Sequence, residues 1–406
     1  MKTWRVPYPK FGGEGGLKRV GAMATRLGID LAWFGANGAV ITGSNGKGST
    51  AAMLASILRE TGGSVGRFTS PHLFALNERF AIDGEDISDK ALALHWGRVR
   101  AAADAYCAET GETFGGFEFL FLIAADWFAA RACAFTVWEA GIGGRLDPTK
   151  LVAPRRTALV SLDLEHTALL GDTLEAIALD KLGAAPAGAT VFCGETCMPL
   201  RAPIEAFCAE HGVTPVFVEP AQAAPLPGVH QRNNAALAIA LAHDIARLTD
   251  EKIARGLAAT RWPGRLEVID EDPLIVIDVG HTPAGIRAAV EGFMAMRGER
   301  SGVLVCGASV DKPAADMIGA LAPEFPVIIC TAARHKGRPA GEIATAARAA
   351  NPDAEIIIAE DIAEARRIAL AKARAGAAIY VAGGLFVAAE FRAAHLGLDP
   401  ASLAFF

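Results

Sequence analysis

Gly43-Ser44-Asn45-Gly46-Lys47-Gly48-Ser49-Thr50 follows the apolar run Ala39 to Thr42 and opens helical spacing from Thr50 to Arg59. Glycines let backbone N–H groups close on phosphate oxygens, the start of the helix adds a positive dipole, and Lys47 contributes a point charge. A hydroxyl just after the lysine is placed to ligate Mg²⁺. The string departs from a strict G-x-x-x-x-G-K-[ST] loop: Ile41 stands where the first glycine would be, and Gly48 separates Lys47 from Ser49. Its strand–loop–helix setting still favours nucleotide phosphate over a plain helix-capping turn.

The same punctuation recurs on either side. Ala134 to Glu139 ends at Gly141, and Thr157 to Leu162 leads into Asp163 and Glu165. Further apolar runs are Leu274 to Asp278, Gly302 to Cys306, Val327 to Thr331, Glu355 to Ala359 and Ala378 to Ala382. Short strands alternating with Ala/Leu-rich helical stretches predict an α/β fold with mostly parallel, doubly wound sheets. A helical stretch from Asn233 to Ala259 runs into the breaker cluster Arg261-Trp262-Pro263-Gly264-Arg265, after which a fresh strand–loop–helix series begins. The chain is therefore divided into a larger domain, residues 1–265, and a smaller α/β domain, residues 266–406. A cleft between two such domains is the expected ligand site.

Composition narrows the classes. The 406 residues are 52% hydrophobic and 21% charged, which excludes a disordered chain. A net charge of −6 disfavours a nucleic-acid partner. The longest apolar stretch, Phe117 to Phe135, is broken by Glu118, Asp126 and Arg131, so no membrane partner is expected. The N-terminal MKTWRVPYPKFGGEGG places Pro and Gly where an apolar signal core would sit, which argues against secretion. Seven scattered cysteines form no framework, and the lone C-x-x-x-C of Cys193 and Cys197 reads as buried thiols. The expected compartment is the reducing cytoplasm.

Three other constellations carry possible chemistry. Thr69-Ser70-Pro71-His72-Leu73 precedes Asn77-Glu78-Arg79 and, read alone, is a polar turn. Glu139 ends an apolar strand before the Gly-rich Gly141-Ile142-Gly143-Gly144-Arg145-Leu146-Asp147, where an acidic metal ligand belongs in a phosphate-transferring site. Asp163-Leu164-Glu165-His166-Thr167 brings oxygen and imidazole groups to another strand end. The basic cluster Arg334-His335-Lys336-Gly337-Arg338 reads as a solvated loop, with steering of an anionic tail as its functional alternative. Phe114, Phe117 and Phe119 read as core rather than as flanks of a planar ring.

In this order the motifs resemble those of the folylpolyglutamate synthase/dihydrofolate synthase family, the folate-type branch of the Mur ligases. Thr42 to Ser49 is similar to the family's T-G-T-N-G-K-G-S, Ser70 to Leu73 with Glu78-Arg79 to its S-P-H-L and E-R, and Glu139 to Asp147 to its E-V-G-x-G-G-R-L-D. Glu165 to Gly171 resembles D-H-T-x-x-L-G, and Lys181-Leu182-Gly183 its K-A-G. His230 to Ala235 resembles H-Q-x-x-N-A, Pro263 to Glu267 P-G-R-L-E, Asp278 to Pro283 D-G-A-H-N-P, and Asp311-Lys312 a further D-K. The likeness runs from about Gly16 to Arg392.

The resemblance implies a P-loop, Mur-ligase-type ATP-binding domain with a parallel-rich sheet and a Rossmann-like C-terminal domain. It implies an ATP- and Mg²⁺-dependent ligase that turns a carboxylate into an acyl phosphate and joins it to an amino acid, L-glutamate onto dihydropteroate or a folate. The phosphate loop, Gly43, Asn45, Gly46, Lys47, Gly48, Ser49 and Thr50, would hold ATP, with Lys47 on the β- and γ-phosphates. Asn234, Arg265 and Asp278 would meet the nucleotide from the hinge side. Ser49 would hold one Mg²⁺, and Ser70, Glu139 and His166 a second; Lys181 would be carbamylated and so become a Mg²⁺ ligand. His281 would place the incoming amino acid, and a monomer is implied.

The departures lie on the substrate side. H-N-P is His281-Thr282-Pro283, G-S-L-Y is Gly383-Gly384-Leu385-Phe386, L-D-A-T-N is Leu146-Asp147-Pro148-Thr149-Lys150, and the Asp of D-H-T is Glu165. The stretch Pro186 to Gly228 is short for the family. They leave open a paralogue that joins a different acid or amine. A non-catalytic nucleotide-binding regulator is the third alternative, against which Lys47, Glu139, His166 and Lys181 all stand.

Overall fold

The computed structural model describes residues 4–10, 12, 15–373, 376–403 and 405; residues 1–3, 11, 13 and 14 of the N-terminal stretch read above lie outside them. Two sheets organise the chain. The first contains β1 (Gly38–Thr42), β2 (Val65–Phe68), β3 (Phe80–Ile82), β4 (Glu85–Asp86), β5 (Phe135–Glu139), β6 (Arg156–Leu159), β7 (Thr190–Cys193) and β8 (Thr214–Phe217). Their order is β4-β3-β2-β5-β1-β6-β7-β8. The edge strands β3 and β4 run antiparallel, and the other strands pair in parallel.

Helices cover both faces, which is why β1 is buried throughout and apolar as far as its last residue, Thr42. Val40, Phe68 and Trp138 face the Gly116–Ala130 helix, within one apolar cluster. Alternate residues Ala39, Ile41, Val65 and Val137 face the Lys47–Arg59 and Gln231–Ile245 helices. That second face is lined by small side chains, Ala51, Ala52 and Ala55 among them.

The second sheet contains β9 (Glu267–Glu271), β10 (Leu274–Ile277), β11 (Gly302–Cys306), β12 (Val327–Cys330), β13 (Glu355–Ile358) and β14 (Ala378–Ala382). Its order is β13-β12-β11-β14-β10-β9, parallel except for β9. The two-domain, parallel-rich α/β architecture is as expected.

Some local expectations change. The stretch read as one helix from Asn233 to Ala259 is two, Gln231–Ile245 and Asp250–Ala258. Ala246 is extended, and the Thr249 hydroxyl caps the second helix by accepting from Lys252 N. Phe114 and Phe119 are core, as read. The apolar run from Phe117 divides between the Gly116–Ala130 helix and β5, and no helix of the described residues is long and apolar enough to cross a membrane. Cys193 and Cys197 are free and buried with Cys208 in an apolar cluster.

Candidate active site

The carboxyl ends of β1, β2, β5, β6 and β10 and the loops that leave them converge on one cavity of about 200 Å³. Its wall brings together Asn45, Gly46, Lys47, Gly48, Ser49, Ser70, Glu139, His166, Asn234, Arg265, Asp278 and His281. Of the residues expected at the site, Gly43, Thr50 and Lys181 stand behind this wall rather than in it.

The phosphate-loop geometry follows from its glycines. Gly46 sits at a left-handed φ of 82° and its Cα lies so near Asn234 that an added Cβ would come within 2.4 Å of Oδ1. At Gly48 an added Cβ would meet Trp262 at 2.6 Å. Ser161 staples the loop to β6: its hydroxyl accepts from Asn45 N at 2.8 Å and donates to Asn45 O at 2.9 Å. Lys47 Nζ donates to Gly43 O at 2.7 Å and Ser44 O at 3.2 Å, so its ammonium curls over the loop. The first N–H groups of a helix have no partner within it, and those of the Lys47–Arg59 helix start at this wall. Among the described residues, the buried hydroxyls of Ser49 and Thr50 have no hydrogen-bond partner. Exposed helix N–H groups, an ammonium and an orphaned hydroxyl are the donor set of a phosphate with its cation.

Glu139 ends β5 and is only 3% exposed. Burial pushes its carboxyl up, while Lys47, the Ser70 N–H at 2.9 Å, Arg265 and Arg79 oppose the shift. Ser70 belongs to a loop held by Glu78, which accepts from Leu73, Phe74 and Ala75 N at 2.6, 2.8 and 2.7 Å. Arg79 Nε donates to His72 Nδ1 at 2.9 Å in the same buried turn, and desolvation lowers the guanidinium to about 10.

Beyond β6, His166 adopts φ 47° and ψ 36° in the left-handed region, with its side chain 33% exposed. A non-glycine residue there is strained, and such strain gathers at functional sites. Burial lowers the imidazole's pKa, although Glu165 opposes the change. Lys181 Nζ donates to Glu165 Oε1 at 2.8 Å, and its side chain is 2% exposed. Desolvation and the neighbouring Lys47 lower the Lys181 pKa. Among the described residues no three His, Cys, Asp or Glu side chains form a metal cage. A cation here would need Ser49, Ser70 or a modified Lys181 beside Glu139 and His166.

The second sheet closes the cavity. Asp278 accepts from Leu266 N at 3.1 Å and Gly280 N at 2.7 Å, so both its oxygens brace the turns around Arg265. Asn233 braces β6 through Val160 O, whereas Asn234 points to the phosphate loop and bonds Gln231. His281 is depressed to about 4, first by burial and then by Lys312, Arg265 and Lys47. Thr282 Oγ1 donates to Asn45 Oδ1 at 3.2 Å across the two domains and accepts from Gly285 N at 3.1 Å as the cap of the Pro283–Arg297 helix. Thr282 thus has a specific job in this chain. Gly384 lies at φ 124°, a conformation that a serine would adopt only with strain.

A second cavity of about 450 Å³ lies against the first, and Gly48, Ser70, Pro71, Glu139, Arg265 and His281 line both. Trp262 and Arg67 line the larger one. Composition, periodicity and motifs singled out neither Ser161 nor Arg67, because their roles depend on partners far along the chain. Trp262 was read only as part of a breaker. The basic cluster at 334–338 is more ordered than a solvated loop: Glu390 accepts from Arg334 and His335 N, and the His335 ring packs on Phe386 at 4.6 Å.

Residues 264–385 match the Mur ligase, glutamate ligase domain model. A dihydrofolate synthase/folylpolyglutamate synthase of Bacillus subtilis is 32% identical over 350 residues, 78% of this chain and 81% of that protein. A probable bifunctional folylpolyglutamate synthase/dihydropteroate synthase of Halobacterium salinarum is 34% identical over 87% of this chain, which spans only 46% of that longer relative. Among solved structures, the Yersinia pestis bifunctional folylpolyglutamate synthase/dihydrofolate synthase complexed with AMPPNP and Mn superposes with a TM-score of 0.83 at 29% identity. That match covers 95% of this chain and 94% of the other.

Proposed function

We propose, for a chain that belongs to the folylpolyglutamate synthase/dihydrofolate synthase family, that it is an ATP-dependent ligase joining L-glutamate to dihydropteroate or a folate. The observation that carries the reading is the meeting of Lys47, Ser49, Ser70, Glu139, His166 and His281 on one cavity wall, built from five separate loops. Phosphoryl transfer to a carboxylate needs charge neutralisation and positioning more than covalent help from the protein.

In this reading Gly43, Asn45, Gly46, Lys47, Gly48, Ser49 and Thr50 hold the triphosphate, and Lys47 releases Gly43 O and Ser44 O to reach it. Asn234, Arg265 and Asp278 form the nucleotide's other wall. Two Mg²⁺ ions would supply Lewis-acid neutralisation of the transferring phosphoryl group. Ser49 would hold one; Ser70, Glu139, His166 and a carbamylated Lys181 would hold the other. The depressed Lys181 pKa supports the modification, because the neutral amine is the form that takes up CO₂. His281, kept neutral by burial, would orient the incoming amine. The domains would close over the acyl phosphate and exclude water. A cytoplasmic monomer fits this role.

The test is phosphate release with Mg·ATP, bicarbonate, dihydropteroate and L-glutamate, with products read by mass spectrometry. Glutamate-dependent release with a new amide mass is the expected result. ATP binding by the folded protein without turnover would overturn the substrate assignment and direct attention to other acids and amines.

A further inference from the structure

The larger cavity holds a feature that the ligase reading leaves unused. On β2, Gly66 and Phe68 face the core helix Gly116–Ala130: a Cβ at Gly66 would strike the Phe128 ring, and Phe68 is fully buried. Arg67 alternates to the opposite face. There the Lys47–Arg59 helix presents Gly48, Ala52 and Ala55, which are too small to fill the space. The guanidinium occupies the gap and lies over the Trp262 ring at 4.8 Å.

Its donors are unmatched. Arg67 Nε is shut off from solvent and has no hydrogen-bond partner among the described residues. Among the described residues no carboxylate comes within ion-pair distance of it, although four carboxylates line the cavity. Glu78 is consumed by three backbone N–H groups, and Glu139 belongs to the wall shared with the nucleotide cavity. Glu85 and Asp86 sit exposed on the edge strand β4, and Asp86 acts on Arg67 through its charge without forming an ion pair. A planar guanidinium with free donors is matched in shape by a carboxylate.

We propose that Arg67 anchors a substrate carboxylate that does not itself react, in the 450 Å³ cavity that adjoins the nucleotide site. The assignment rests on the ligase reading and deepens it by naming a specificity-determining residue. The carboxylate belongs either to the side chain of a dicarboxylic amino acid or to a glutamyl tail on the acid substrate.

The full chain, Arg67→Leu and Arg67→Lys are compared under Mg·ATP and bicarbonate. L-glutamate is varied first, then dihydropteroate, then tetrahydrofolate monoglutamate. Arg67→Leu is expected to raise KM for the carboxylate-bearing substrate about tenfold or more, with kcat within about threefold and KM for ATP within about twofold. Arg67→Lys should recover part of the loss, since it keeps the charge without the fork. A higher KM for L-glutamate with lost discrimination against L-glutamine assigns the site to the amino acid. A higher KM for tetrahydrofolate monoglutamate but not dihydropteroate assigns it to the tail. Unchanged KM values, or a joint loss of kcat and ATP affinity, would overturn the proposal. If the unmodified chain ligates none of these pairs, the ligase reading fails and calorimetry decides Arg67 by itself. L-glutamate or tetrahydrofolate monoglutamate binding that Arg67→Leu weakens about tenfold sustains it; equal binding, or none to the unmodified chain, rejects it.

Discussion

Lys181 Nζ and Glu165 Oε1 lie 2.8 Å apart in a pocket where the lysine side chain is 2% exposed and the glutamate 10%. The glutamate stands where the D-H-T motif that this stretch resembles has an aspartate. A buried pair is costly to split, because the survivor keeps an uncompensated charge. With Lys181 uncarbamylated, in CO₂-free buffer, Lys181→Met and Glu165→Gln should each lower stability by about 3 kcal/mol, whereas the double variant should lose less than their sum. Urea unfolding of all four proteins checks this; additive losses would mean that the pair is not coupled.

Lys47→Ala and Glu139→Gln should each reduce ATP-dependent ligation by at least about a thousandfold, in keeping with the loss of a preorganised charge. Both should remain folded, since burial already disfavours the ionised Glu139. Phosphate release measured beside thermal melting separates the two effects, and an active Glu139→Gln would remove that residue from the site.

Thr282 caps a helix and touches the phosphate loop through Asn45. Thr282→Val should cost about 1 kcal/mol, the usual worth of a cap, while Thr282→Ser should be nearly neutral. Denaturant midpoints report the stability difference, and a valine variant as stable as the parent would show that neither bond matters.

His230 and His281 are depressed by burial to about 4. An unfolded histidine takes up its proton near pH 6.5, so each group's contribution to stability is fully present above that pH. It is lost as pH falls toward 4, where the folded imidazoles must be charged. The denaturation midpoint should therefore drop between pH 6.5 and 4, and His230→Gln should flatten that slope. An unaltered slope would show that His230 is not buried neutral.

Much of the fold could be read before the structure was known. The strand β1, its glycine loop and the following helix announce themselves through an apolar run, closely spaced glycines and helical spacing. Glu139 and Asp278 were visible because each ends such a run. The break between Gln231–Ile245 and Asp250–Ala258 was hidden, since one Thr cap inside an Ala-rich stretch leaves the apolar period almost intact. Ser161 and Arg67 were hidden for another reason. Ser161 acts on Asn45, which is 116 residues away, and Arg67 lies on Trp262; neither distance leaves a local pattern. Thr282 showed as a departure, and only its bond to Asn45 revealed why a hydroxyl serves there.

The indole of Trp262 is packed so that a methyl at Gly48 would strike it, and it also lies under Arg67. Three positions therefore form one packing unit. A chimera that takes its N-terminal half from a relative and its hinge from this chain would keep the motif glycine at 48 but pair a foreign residue 67 with this tryptophan. Crossovers between residues 67 and 262 should be poorly tolerated in a shuffled library, and survivors should carry compensating changes at residue 67 or 262.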